Sequence, residues 1–124
     1  MGPAESAARN LALGRAGERE AARRLQALGY RVLGRGFLAR RGEIDLVCRA
    51  GDSLLLVEVK TRSSAAFGLP LEAVGSRKKR ALESAAREYR ALAGWRGPIR
   101  FAVFSLLLGP DGAVREAELI EDAF

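Results

Sequence analysis

The chain of 124 residues contains no histidine and one cysteine. The first absence excludes His-based catalytic triads, imidazole general bases and imidazole metal ligands. The second excludes an internal disulfide and any multi-cysteine zinc or iron–sulfur site. A metal, if one is used, must therefore sit on carboxylates and backbone carbonyls, which favours a hard ion such as Mg²⁺ or Mn²⁺. Aromatic residues make up 6% of the chain. Tyr30, Tyr89, Trp95 and the five Phe are too scattered for a base-stacking platform. No stretch approaches the ~18 consecutive apolar residues of a membrane span, and Met1 to Leu13 lacks the apolar run of a signal peptide. The expected setting is cytoplasmic, with no membrane partner. No Gly-rich phosphate loop of Walker type and no internal repeat is present.

What is present is a core and an uneven charge. Hydrophobic residues are 48% of the chain, and its length suits one domain of the usual ~100–200 residues. We read it as a single domain over 1–124, in which 1–10 can be a loose N-terminal extension. Net charge is +6. Residues 1–41 carry nine basic and three acidic side chains, and residues 61–100 again nine and three. Between them, residues 42–60 carry two basic and four acidic. An acidic island between basic segments suits a metal site acting on a polyanion. Solvated helix faces would leave the same trace.

Hydrophobic periodicity predicts a helix from about Glu5 to Leu28, ended by Gly29, with Leu11, Ala21, Ala22, Leu25 and Leu28 on its apolar stripe. Strands are expected over Tyr30–Leu38, Glu43–Arg49, Leu54–Thr61, Ile99–Leu108 and Ala113–Ile120. The continuous apolar run of Ile99–Leu108 marks a strand covered on both faces. Arg62 to Pro70 reads as a loop, and Ser76 as the N-cap of a helix over Arg77–Ala93. That helix's apolar stripe is Leu82, Ala85, Ala86, Tyr89, Leu92 and Ala93. The order is α-β-β-β-α-β-β, an α/β fold with a mixed sheet flanked by helices.

A two-residue Gly51-Asp52 turn makes opposed residues sum to 103. Asp45 then faces Glu58, Glu43 faces Lys60, and Val47 faces Leu56 on one side of the hairpin. Ile44, Leu46, Cys48, Leu55, Val57 and Val59 form the other, core side, with Cys48 as inert packing. Two opposed carboxylates repel. Either Lys60 or a divalent cation compensates, and an ordinary polar face with Lys60 paired to Glu43 has the same spacing. Glu18 lies on the apolar stripe of the first helix, where a carboxylate is costly without a partner; Arg15, Arg19 or solvent could also satisfy it. Against those readings, Glu18, Asp45 and Glu58 are a candidate metal-ligand set, with Lys60 as an adjacent ammonium.

These residues resemble a known pattern. Gly42-Glu43-Ile44-Asp45-Leu46-Val47 followed by Val57-Glu58-Val59-Lys60-Thr61-Arg62 is similar to the Asp…Glu-x-Lys core of the restriction-endonuclease-like superfamily. With Gly14-x-x-Gly17-Glu18, Leu25…Gly29-Tyr30, Phe67-Gly68 and the closing Ala123-Phe124, nearly all of 11–124 resembles the YraN family of bacterial endonuclease-like proteins. The arrangement also looks like archaeal Holliday-junction resolvases, which carry an extra Glu on the first helix. The resemblance implies a restriction-endonuclease-like fold and a Mg²⁺- or Mn²⁺-dependent endonuclease acting on DNA, with branched or damaged DNA as candidate substrates. It implies Asp45 and Glu58 as metal ligands with the Val59 carbonyl, and Glu18 extending the site. Lys60 would orient or deprotonate the attacking water and stabilise charge on the phosphate. Glu43 is either a ligand or a partner of Lys60. Ile44 stands where the superfamily often has Pro, Gly36 where Asn is usual, and Ala102 where Asp is expected.

Arg77, Lys78, Lys79 and Arg80 at a helix start could hold phosphates, with Arg40, Arg41 and Arg62 gripping the nucleic-acid backbone. A solvated helix face is the bland reading of the same run. Cutting both strands of a duplex would call for a homodimer, for which the sequence shows no interface. Two other functions fit the composition: a non-catalytic nucleic-acid-binding protein that keeps the fold, and an assembly factor whose basic faces meet an acidic protein.

Overall fold

The computed structural model describes residues 3–63 and 76–122, with side chains over 14–63 and 77–122. Helix α1 spans Pro3–Ala27, followed by strands β1 (Arg31–Leu38), β2 (Glu43–Ala50) and β3 (Ser53–Ser63). Helix α2 (Ser76–Ala93) crosses to β4 (Ile99–Leu108), and β5 (Val114–Glu121) closes the chain. The strands form one sheet in sequence order. All neighbours are antiparallel except β3 and β4. A parallel pair needs a crossover, and α2 supplies it. Among the described residues this is the expected α/β arrangement, with the elements in the order α-β-β-β-α-β-β. Phe67-Gly68, most of the 62–70 loop and Ala123-Phe124 lie outside the described residues, as do the side chains of Leu11 and Ser76.

Local chemistry sets the element ends. Gly29, at φ +99°, ends α1. The Gly29 amide donates to the Gln26 carbonyl (3.0 Å) and the Tyr30 amide to Leu25 (3.0 Å), the paired bonds of a Schellman cap. Gly51 takes φ +60° as the first turn residue between β2 and β3, which suits a hairpin turn of the Gly-first kind. Gly109 to Gly112 closes the last turn, with the Gly112 amide bonded to the Gly109 carbonyl (2.9 Å).

The sheet is covered on both faces. Ala21, Ala22 and Leu25 of α1 pack with Leu46, Cys48, Leu55, Val57, Ala102, Phe104 and Leu106. On the opposite face, Ala85 and Ala86 of α2 pack with Ile44, Val47, Leu54 and Leu56. This corrects the expectation of one core side and one polar side for the β2–β3 hairpin. Val47 and Leu56 are 1% and 2% exposed beneath α2, so the hairpin is buried on both sides over Leu46–Cys48 and Leu54–Val57. Two helix stripes are shorter than expected, because Leu28 and Leu92 lie at helix ends and remain 64% and 78% exposed. Cys48 is fully buried, and burial pushes its thiol up to about 11, so it packs and does not react. Ala102, where an Asp was anticipated, is likewise fully buried against α1.

A fork in the sheet at a candidate metal centre

Pairing between β2 and β3 follows the expected register from Ala50 opposite Ser53 to Leu46 opposite Val57. There the ladder ends. Asp45 and Glu58 are the next residues, and no backbone pairing joins them. Instead the Asp45 side chain reaches across, its Oδ2 accepting a hydrogen bond from the Val59 amide at 2.8 Å. A carboxylate oxygen thus takes the place of a ladder carbonyl, and the two strands fork.

The pleat also changes face here. Leu46 belongs to the α1-side core and Ile44, two residues away, to the α2-side core. Regular alternation would place both on one face, as the sequence reading assumed. The neighbouring strand breaks in step. Arg35 faces Leu46 and Phe37 faces Ile44, while Gly36 between them takes φ +64°. Phe37 turns to the α2 side, where its ring meets Tyr89 edge-on at 5.2 Å. A left-handed backbone is tolerated by Gly and, less readily, by Asn, which accounts for either residue at this position.

Gly17 brings α1 to the fork. A Cβ at this position would stand 2.0 Å from the Thr61 Oγ1, so only glycine allows the helix this close to β3. The next residue, Glu18, then joins Glu43 and Asp45 in a group whose carboxylate oxygens lie within 4.8 Å of one another. Crowding and burial leave their mark. Desolvation, followed by repulsion from Glu58, Glu18 and Glu43, pushes the Asp45 carboxyl up to about 6 against the pull of the Val59 amide. Burial and then Glu43 raise Glu18, with Arg15 and Arg35 opposing. Three hard oxygen donors at this separation could hold a divalent cation of the Mg²⁺ or Mn²⁺ type.

Glu58 is placed differently. At 6% exposure it is the buried charged residue among the described residues. It pairs with the Lys60 Nζ at 3.2 Å and with the Lys78 Nζ from α2. Lys60 is therefore held by Glu58, not by Glu43, while Glu43 sits with Glu18 and Asp45. Val59 enters the site through its amide. Glu43, Asp45, Glu58, Lys78 and Arg41 line one cleft of about 240 Å³, walled by Ala81 and Leu82. Arg41 continues into a hollow with Arg77 and Arg80, and into another with Arg40 and Arg87. Lys79 borders a separate hollow with Glu83 and Phe101. Arg62 lies further along β3, opposite Leu107 of β4.

Sequence reasoning grouped Lys78 with the surface cations and missed its contact with Glu58. The available signal was the first turn of α2, which is basic and has no acidic residue, against the preference of a helix N-terminus for negative charge.

The fold and site define a class: a small α/β domain with a mixed five-stranded sheet and a carboxylate–lysine centre where two central strands part. The chain belongs to the uncharacterised protein family UPF0102, whose model matches residues 17–106. That span includes Glu18, Glu43, Asp45, Glu58, Lys60 and Lys78. A UPF0102 protein of Symbiobacterium thermophilum is 45% identical over 113 residues, covering 90% of this chain and 95% of the relative. One from Pelotomaculum thermopropionicum is 42% identical, covering 90% and 94%. One from Rhodococcus jostii is 40% identical, covering 94% and 99%.

Proposed function

We propose that this chain is a divalent-metal-dependent nuclease that hydrolyses phosphodiester bonds of DNA, with branched or damaged DNA as the candidate substrate. The observation that carries the reading is the fork itself: Glu18, Glu43 and Asp45 converge beside the Glu58–Lys60 ion pair, and Arg41, Arg77 and Arg80 line an adjoining hollow. A bound Mg²⁺ or Mn²⁺ would polarise a phosphoryl oxygen and lower the pKa of a water. Glu18, Glu43 and Asp45 would hold it, with Glu58 and the Val59 carbonyl as further donors. Asp45 is oriented for this by the Val59 amide. The Lys60 ammonium, positioned by Glu58, would stabilise the charge that develops on the phosphate. Arg40, Arg41, Arg77, Lys78, Lys79 and Arg80 would hold the nucleic-acid backbone, with Arg62 at the end of β3 as a further contact.

No helix among the described residues is long and apolar enough to cross a membrane. The basic hollow of Arg41, Arg77 and Arg80 beside the carboxylate cleft is open to a polyanion, and we read the working location as cytoplasmic. A homodimer would let two such centres act on both strands of a duplex.

The test is cleavage of labelled duplex, single-stranded, flap and four-way-junction DNA with Mg²⁺, Mn²⁺ or EDTA. The parent is run beside an identically purified Lys60→Ala variant. Cleavage that disappears in EDTA and in the variant supports the reading and identifies the substrate shape. Cleavage that survives Lys60→Ala overturns the site. A second reading, a DNA-binding protein without catalysis, draws on one observation: the Glu58 carboxylate is engaged by two ammonium groups. Salt-sensitive DNA binding with no cleavage of any substrate would favour it.

A further inference from the structure

Glu58 has two cationic partners of unequal standing. Lys60 comes from the same strand, and its side chain is 25% exposed. Its position is set by β3. Lys78 comes from a different element, the first turn of α2, and its side chain is 40% exposed. It can swing toward solvent without disturbing the sheet. Its placement is electrostatically awkward for α2, since a cation in the first turn opposes the helix dipole. No acidic residue in that turn offsets it. A cation held there is stabilised by an anion outside the helix, and within the cleft that anion is Glu58.

The same cleft holds Asp45 and Glu43. A divalent cation among these carboxylates and the Lys78 ammonium would both be drawn to the Glu58 oxygens and would repel each other. Arg77 and Arg80 flank Lys78 in sequence and line the adjoining hollow with Arg41. A phosphate arriving on that surface offers Lys78 a different anion at the moment when Glu58 is needed elsewhere.

We propose that Lys78 is an exchangeable occupant of the metal site: it neutralises Glu58 while the cleft is free of substrate, and a nucleic-acid phosphate draws it away, releasing Glu58 to the metal. Metal affinity and backbone binding are thereby coupled through one ion pair. The inference rests on the nuclease reading and adds to it a positioning role for Lys78 that acts on Glu58.

The test titrates Mn²⁺ into the full chain by calorimetry, without DNA, for the parent, Lys78→Met and Arg96→Met. Arg96 is an exposed residue beyond the far end of α2, and its loss controls for net charge. Identical circular dichroism spectra establish the fold, and Lys78→Gln serves as a second variant. Lys78→Met should bind Mn²⁺ at least about fivefold more tightly than the parent, at the lower end of ordinary coupling between sites, while Arg96→Met stays within about twofold. Coupling is reciprocal. The gain in affinity for a labelled short DNA duplex on replacing EDTA with Ca²⁺ should therefore shrink severalfold in Lys78→Met. Equal Mn²⁺ affinity in Lys78→Met and Arg96→Met, or weaker binding in Lys78→Met, overturns the exchange and leaves the nuclease reading standing. Mn²⁺ binding by none of the chains overturns both.

Discussion

The two halves of the β2–β3 hairpin are built from the same pair of strands and behave in opposite ways. Toward the turn, from Ala50–Ser53 to Leu46–Val57, the ladder is complete, and the side chains of Leu46–Cys48 and Leu54–Val57 between the two helices are apolar and nearly inaccessible. Toward the open end, the ladder stops, the pleat reverses beside Gly36, and the residues are Asp45, Glu43, Glu58 and Lys60. The comparison shows a division of labour along a single element. The closed half holds the fold together by burying apolar surface. The open half gives up backbone pairing, so that a side chain can take a main-chain hydrogen bond and carboxylates can crowd.

That contrast can be broken from either side. The largest effect belongs to the open half: Lys60→Ala should slow metal-dependent cleavage by roughly 10²–10⁴-fold, the range for a residue stabilising charge or moving a proton in the transition state. Its melting temperature should change little. Rates measured beside a thermal melt check both statements. In the closed half, Leu46→Ala should do the reverse. Leu46 is fully buried, and removing its side chain should cost about 2–5 kcal/mol in denaturant unfolding, with Mn²⁺ affinity retained in the molecules that remain folded.

Smaller perturbations sharpen the boundary. Gly17→Ala would place a methyl group on Thr61. It should cost about 1–3 kcal/mol as overpacking, and weaken Mn²⁺ binding by moving Glu18 off the cluster. Combining it with Thr61→Ala should restore part of each loss.

The smallest predicted effect has the opposite sign. Asp45 titrates at about 6 in the fold, raised mainly by burial, against an ordinary 3.8. A raised carboxyl favours the folded state below about pH 4, and that contribution is lost as pH rises through about 6. Above pH 6 the ionised, crowded Asp45 is therefore a burden on the metal-free protein. Asp45→Asn should stabilise that protein by on the order of 1–2 kcal/mol at pH 8, and the gain should vanish toward pH 4. Mn²⁺ should stabilise the parent at pH 8 and fail to stabilise the variant. In the parent, Mn²⁺ binding should weaken as pH falls below about 6, where protons compete for Asp45. Thermal melts across pH with and without Mn²⁺ measure all of these effects.

Much of the molecule was legible in the residues. Gly29 and Gly51 announce their turns because each takes a backbone conformation that a side chain disfavours. The 103-sum register follows from the length of the Gly51-Asp52 turn, and the order of elements from periodicity. That Asp45 and Glu58 would share one cleft could be expected from extending that register, and Glu18 stood out as a carboxylate on an apolar stripe.

What the residues could not show is where regular geometry fails. Extrapolating alternation put Ile44 with Leu46 and Glu43 opposite Lys60. Both placements were overturned at the fork, because a positive φ at Gly36 and a side chain replacing a ladder bond are decided by how neighbouring strands and helices pack. Spacing within one hairpin likewise carries no information about α2, whose first turn arrives by a crossover from elsewhere in the chain and sets Lys78 on Glu58. The sequence by itself determined the elements, the turns and the types of chemistry on hand: carboxylates, ammonium groups and no imidazole. Only the tertiary structure decided that Glu43 joins Glu18 and Asp45 while Glu58 is shared by two lysines. Local backbone preferences act over a few residues, whereas electrostatic grouping depends on distances that only packing sets.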